Sequence, residues 1–152
     1  MISDPEIVRH TRVPDDPPPG FAAAWVDRYV AGWQDGSRAG FAIVSHDGSF
    51  LGMAAIVDLD LDGAQGEIGY IVVEAARGRG VAGRALGLVT GWALGDLGLA
   101  RVELLIDVEN AASIRVAERA GYVREGVLRS YHVKGEHRAD MVVYSLLPGD
   151  RR

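Results

Sequence analysis

Two rhythms of apolar side chains run through the chain. Branched, aromatic and alternating apolar residues mark strands at Ala39–His46, Ser49–Leu61, Glu67–Val73, Arg101–Val108, Tyr122–Val133 and Ala139–Leu147. The segment from Arg101 is the clearest, with Val102, Leu104, Ile106 and Val108 on one face. A helical period covers Phe21–Trp33, where Trp25, Tyr29 and Trp33 recur every four residues. It returns from Val81 to Leu97 through Ala85, Leu86, Val89, Ala93 and Leu94, and again over Ala111–Ala120. Asn110 starts that last helix and Gly121 stops it. Turns fall at Asp47-Gly48, Asp62-Gly63 and Lys134-Gly135-Glu136, and Pro148 ends the final strand. Residues 1–20, ending in Pro17-Pro18-Pro19-Gly20, read as loop. The resulting order is helix, three strands, helix, strand, helix, two strands. That predicts one domain over residues 1–152, of mixed α/β class, with a largely antiparallel sheet flanked by helices and no repeat.

Three details qualify this pattern. Gly52 inside a strand implies a bulge or a close backbone approach. Gly83, Gly87, Gly91 and Gly95 lie four apart on one helix face, each costing about 1 kcal/mol against alanine, which suggests close packing against the sheet. The Trp25, Tyr29 and Trp33 stripe reads as core, with a pocket wall as the alternative.

Glu67–Ala82, EIGYIVVEAARGRGVA, is the stretch with the most chemistry. A strand runs into an arginine- and glycine-rich loop that opens a helix. The first amides of a helix lack partners and its dipole favours an anion, so a phosphate belongs there. Glycines allow close approach, and Arg77 and Arg79 add positive charge.

Composition narrows the class. The chain has 152 residues, 48% hydrophobic and 24% charged, as expected of a globular domain with its own core. The polar start MISDPEIVRH does not resemble a signal peptide, and the apolar run Ala85–Gly95 is too short to span a bilayer. No cysteine is present, which removes disulfides, thiolate metal sites and a thiol nucleophile, and leaves a cytoplasmic protein as the expectation. A net charge of −5 makes nucleic acid an unexpected partner. The charge is uneven: residues 1–76 hold 4 Lys/Arg against 12 Asp/Glu, whereas residues 77–138 hold 10 against 7. The second part suits an anion and the first suits a cationic acceptor, unless the split is ordinary surface charge.

Two motif matches compete for these residues. Asp58–Gly63 imitates the front of a calcium loop, but its twelfth position is Gly69 rather than a bidentate glutamate, and an Asp-Gly turn explains the same residues. No metal is expected. Gly78-Arg79-Gly80-Val81-Ala82-Gly83 also fits the dinucleotide pattern G-x-G-x-x-G, with Glu103 where a ribose-binding acid belongs. Against that reading, Glu74–Arg77 separate the strand from the first glycine, and the preceding strands look antiparallel.

Arg77-x-x-Gly80-x-Ala82 instead resembles the acyl-coenzyme A loop of the GNAT N-acetyltransferase superfamily. Asn110-Ala111-Ala112-Ser113 and Ala120-Gly121-Tyr122 resemble its following helix. Asp4–Arg9, Gly69-Tyr70, Arg124–Arg129 and Val142–Leu147 are similar to the branch that acetylates the N-termini of ribosomal proteins. The resemblance covers nearly the whole chain. Members normally carry a strand and a helix before the segment matching Asp4–Arg9. Only Met1–Ser3 stand there, so either the start is truncated or the first strand is missing, and the exposed sheet edge this leaves points to a homodimer.

The resemblance implies transfer of an acetyl group from acetyl-CoA to a primary amine, either a protein N-terminus or a small cationic amine. Backbone groups of Ile71, Val72 and Val73 would hold the pantetheine arm, left unpaired by a splayed strand. Arg77, Gly78, Arg79, Gly80, Val81, Ala82 and Gly83 would surround the pyrophosphate. Asn110 either bonds a pantetheine amide or caps its helix, and Arg115 would meet a nucleotide phosphate. Glu67 matches the strand glutamate that serves as general base, with Glu103, His132 and His137 in reserve. The family's tyrosine acid is replaced by Ala117, leaving Ser113 to protonate the thiolate. A non-catalytic acyl-CoA-binding module and a dinucleotide-binding oxidoreductase are the alternatives.

Overall fold

The computed structural model describes residues 3–150. Its first element lies in the stretch expected to be loop: α1 spans Pro5–His10. Asp4 caps it, accepting the N–H of Glu6 at 3.0 Å and of Ile7 at 3.5 Å. Pro5 occupies the first turn, where a missing N–H costs nothing. Six residues are too few for a period to show, so only the Asp-Pro-Glu start could have revealed this helix.

The expected elements follow in the expected order: α2 (Phe21–Asp35), β1 (Ala39–Val44), β2 (Phe50–Asp60), β3 (Gln65–Val72), α3 (Val81–Gly95), β4 (Arg101–Asp107), α4 (Ala111–Arg119), β5 (Val123–Lys134) and β6 (His137–Leu146). One sheet holds every strand in the order β1-β2-β3-β4-β6-β5. Among the described residues no strand precedes Ala39, and β1 forms a sheet edge. All pairs are antiparallel except β3 and β4, which α3 connects. A single parallel pair is not a doubly wound sheet, which removes the architecture the dinucleotide reading needs.

That parallel ladder is short. It joins Gln65–Glu67 to Arg101–Glu103 and stops. Beyond it β3 stays with β2 as far as Val72, and β4 stays with β6 as far as Asp107. The sheet therefore opens between β3 and β4. A register shift in the β2–β3 ladder between Ile56 and Asp58, opposite the last paired residues, supplies the local twist.

Packing differs on the two faces. On one, α3 and α4 cover a core in which Ile56, Leu86, Val102, Leu104, Val142 and Tyr144 are all but fully buried. The Thr90 and Tyr122 hydroxyls meet at 2.6 Å and tie α3 to the turn between α4 and β5. On the other face Ile7, Val13 and Ile71 form a smaller cluster under Phe21 and Trp25. The aromatic stripe on α2 divides: Trp25 packs on this cluster and, with Tyr29, borders a cleft, whereas Trp33 is 59% exposed and stacks on Trp92.

Gly52 is a close approach. A Cβ there would lie 2.1 Å from the carbonyl oxygen of Ile71, at a φ of +152°. The α3 glycines behave otherwise: a Cβ on Gly83, Gly87 or Gly95 meets nothing within 4 Å. Close packing does not explain these three, and the helix carries their weak propensity because its opposite face is buried.

Candidate active site

The loop after β3 turns through left-handed glycines, Gly78 at φ 71° and Gly80 at φ 72°, and delivers the chain into α3. Among the described residues, no acceptor bonds any amide from Gly78 to Gly83. The first bonded amide is that of Arg84, which donates to the Gly80 carbonyl at 3.1 Å. Arg84 Nη1 also donates to the Arg79 carbonyl at 3.1 Å and fastens the loop to the helix. A run of free N–H groups at the positive end of a fifteen-residue helix fits a diphosphate.

The two loop arginines play unequal parts. Arg77 was expected to contribute charge to the phosphates. It is instead ion-paired with Asp4, and its Nε donates to the Val72 carbonyl at 3.2 Å, so it pins the cap of α1 to the end of β3. Arg79 is exposed, with no carboxylate partner among the described residues.

The gap between β3 and β4 adjoins this cradle. Val73 N–H donates to the Leu51 carbonyl at 3.0 Å, and the Val73 carbonyl accepts from Ala76 at 2.9 Å. Both its polar groups are therefore used, which removes Val73 from the expected set. Antiparallel alternation then turns the backbone of Ile71 toward Met53 on β2, and that of Val72 and Tyr70 toward the gap. Ile71 contributes its buried side chain instead, and of the three expected residues Val72 alone keeps an N–H directed to the gap.

A cleft of about 1040 Å³ runs from the cradle along the gap to the face under α1 and α2. Alternation along β3 sends Glu67 to the α1–α2 side and Tyr70 to the α3–α4 side. Glu67 is half-buried and makes no ion pair among the described residues. Burial pushes its carboxyl above the usual range; the Arg12 and Arg38 guanidiniums pull the other way, and Glu103 and Asp58 reinforce the rise. Tyr70 donates to the Ser113 carbonyl at 3.5 Å, and burial keeps its phenol protonated. The Ser113 amide donates to Asn110 Oδ1 at 3.0 Å, so Asn110 is a helix cap with its amide NH₂ still available. Arg115, exposed on α4, also lines the cleft.

The reserve groups separate. Glu103 is bound to Arg101 at 2.8 Å and is not free to act. His132 lines the cleft, and burial together with the Arg12 charge lowers its proton affinity. His137 lies instead in an adjoining notch of about 190 Å³ beside Lys134 and Asp107. Sequence reasoning passed over Tyr70 as a donor, although alternation from Ile68 would have placed it on the α4 side. It also passed over His10, whose Nδ1 lies 3.2 Å from the buried Asp107 and whose ring borders the cleft. That pairing spans most of the chain and left no local signal.

Two groups of quoted residues prove structural. Glu125 accepts from Arg101 at 2.7 Å and from Ser145 at 2.6 Å, which locks β4, β5 and β6 together. Asp60 accepts the Gly63 N–H at 2.8 Å and closes the turn that imitated a calcium loop.

Comparison with known proteins agrees with this geometry. A family profile described as an acetyltransferase (GNAT) domain matches residues 1–123. The chain is 33% identical over 146 residues to the "Putative ribosomal N-acetyltransferase YdaF" of Bacillus subtilis (strain 168), covering 95% of this chain and 72% of that one. A crystal structure of a "putative acetyltransferase from T. thermophilus" superposes with a TM-score of 0.83 at 27% identity, over 98% of this chain and 78% of the other. The spermidine N-acetyltransferase of Vibrio cholerae, solved with CoA and spermine, has a TM-score of 0.85 at 17% identity, over 99% of this chain and 87% of its own. At that identity the likeness shows the fold alone.

Proposed function

The chain belongs to the GNAT acetyltransferase family, and on that footing we propose that it moves an acetyl group from acetyl-CoA to a primary amine, with a protein N-terminus as the first acceptor. The observation that carries the reading is the run of unbonded amides from Gly78 to Gly83 beside the opening between β3 and β4, with Glu67 in the same cleft. These groups fit a diphosphate followed by an extended amide-bearing arm. Acetyl-CoA supplies the acyl group already activated as a thioester.

The residues then divide the work. Gly78–Gly83 amides anchor the diphosphate, and Val72 N–H and the Asn110 side-chain amide orient the arm. Glu67 accepts the proton of the attacking amine, directly or through a water; its raised proton affinity suits a base that works near neutral pH. The amine nitrogen forms its bond to the acetyl carbon as the carbon–sulfur bond breaks. The sulfur leaves as the thiolate, to which the Ser113 or Tyr70 hydroxyl donates a hydrogen bond, and the α4 N-terminus favours the developing negative charge. The proposal places this activity in one domain spanning residues 1–152, with β1 as the open edge available to a second copy.

A turnover screen tests it. Thiol release from acetyl-CoA is followed with peptides, polyamines and aminoglycosides as acceptors. Acceptor-dependent release supports the proposal. Tight acetyl-CoA binding without turnover of any amine would identify a binding module, and affinity for NAD with none for CoA would restore the dinucleotide reading.

A further inference from the structure

We propose that the acceptor amine carries an anionic group close to its nitrogen, and that Arg12, Arg28 and Arg38 form the subsite that recognises it. This inference rests on the acetyl-transfer reading and names the acceptor's chemistry within it. The starting point is a mismatch between composition and placement. Residues 1–76 contain 12 acidic side chains and only 4 Lys/Arg, yet of those acids only Glu6 and Glu67 line the cleft. Three of the four arginines, Arg12, Arg28 and Arg38, do line it.

These guanidiniums come from separate elements: the segment after α1, the middle of α2 and the turn before β1. None has a carboxylate partner among the described residues, whereas Arg9, Arg77 and Arg101 are all paired. Their fields overlap. Arg12 acts on Glu67, Tyr29 and His132 together, and Arg38 acts on Glu67 and Tyr29. The wall is also fitted to them. The Arg38 stem lies against Gly32, where a Cβ would come within 2.6 Å of Arg38 Cβ, and both the Ser37 and Arg38 amides donate to the Gly32 carbonyl. The Tyr29 ring similarly occupies the space above Gly40. Unpaired guanidiniums around a half-buried base repel a polycation. They suit a carboxylate or phosphate, which a guanidinium grips with paired N–H donors.

The anion can come from a side chain of a peptide, from the carboxylate of a small amino compound, or from a phosphate. A matched acceptor series separates these sources. Saturating acetyl-CoA is combined with Ser-Asp amide, Ser-Asn amide, Ser-Lys amide, Ser-Asn with a free carboxylate, and Ser-phosphoserine amide. One or more anionic acceptors should exceed Ser-Asn amide in kcat/KM by roughly tenfold to a hundredfold, the worth of one charge-assisted contact, and Ser-Lys amide should be poorest. Whichever anionic acceptor leads identifies the source. In Arg12→Gln/Arg28→Gln the leading ratio should collapse toward one; Arg38 is left in place because its stem packs on Gly32. Turnover of Ser-Lys amide equal to or above the anionic acceptors, or a preference that survives the double substitution, overturns the inference while acetyl transfer stands. Turnover of polyamines or aminoglycosides but of none of these peptides also overturns the inference while acetyl transfer stands; absence of turnover with every acceptor of both sets, despite acetyl-CoA binding in a thermal-shift assay, removes both.

Discussion

At one end of the cleft the groups proposed to meet a ligand are backbone amides; at the other they are side chains. The proposed cradle from Gly78 to Gly83 is contiguous, and its reading rests on glycine conformations and a helix start. The proposed acceptor wall gathers Arg12, Arg28, Arg38, Tyr29 and Glu67 from distant segments. A backbone site leaves a local signature, because the spacing of glycines is the site. A side-chain site depends on which residues the fold turns inward. Net charge conceals this: the acid-rich first half turns three arginines and only two of its twelve acids to the cleft.

If the two ends are independent, substitutions should separate them. The largest effect belongs to Glu67→Gln. It should lower kcat by about 10²- to 10⁴-fold, with acetyl-CoA affinity by calorimetry close to that of the parent. The acid limb of the pH profile offers a second reading. Burial keeps the Glu67 carboxyl protonated to a higher pH than an exposed glutamate, and a base must be ionised to act. Thus kcat/KM should fall on the acid side with a midpoint above that of an exposed glutamate, and Arg12→Gln should move that midpoint higher by removing a charge that favours the carboxylate.

Gly80→Val acts on the other end. A branched side chain at φ 72° displaces the loop and its amides. Acetyl-CoA affinity should drop roughly tenfold to a hundredfold, with the acid-limb midpoint staying in place.

Gly52→Ala tests the strand between the two ends. Its Cβ would meet the Ile71 carbonyl, and β3 must shift to make room. A loss of about 2–3 kcal/mol, read by denaturant unfolding, should accompany weaker acetyl-CoA binding. Gly87→Ala is the opposite case. Nothing surrounds the new methyl, so stability should rise by about 0.5–1 kcal/mol without change in either ligand's binding.

The smallest effect concerns Glu125, which Arg101 and Ser145 hold down to about 2. A carboxylate depressed in the folded state stabilises it above the unfolded value, about 4.3, and that contribution is lost as pH falls toward 2. The side chain is 41% exposed, so solvent screening keeps the contribution modest. The difference in Tm between the parent and Glu125→Gln should be full at pH 6 and shrink below about pH 4.5.

The same division explains what could be read from the chain. Strand and helix positions follow from periods two and 3.6, and the six expected strands appear. Gly52 announced its close approach because a glycine inside a strand has few other uses. The α3 glycines carried a similar hint and misled, since a helix held by one buried face tolerates weak propensity on the other. Arg77 matched a phosphate-loop position, but its engagement by Asp4 depends on a helix too short to show a period. Val73 differed from Val72 only by the parity of a ladder, which needs the register to be known. The His10–Asp107 contact and the arginine wall required the assembled fold.

Amide chemical shifts recorded while acetyl-CoA is added to isotope-labelled protein test the backbone cradle most directly. The largest perturbations should fall on Gly78–Gly83 and Val72, with Val73 and the loops of the β5–β6 hairpin little changed. Perturbations centred elsewhere, with the amides of Gly78–Gly83 unmoved at saturation, would contradict it.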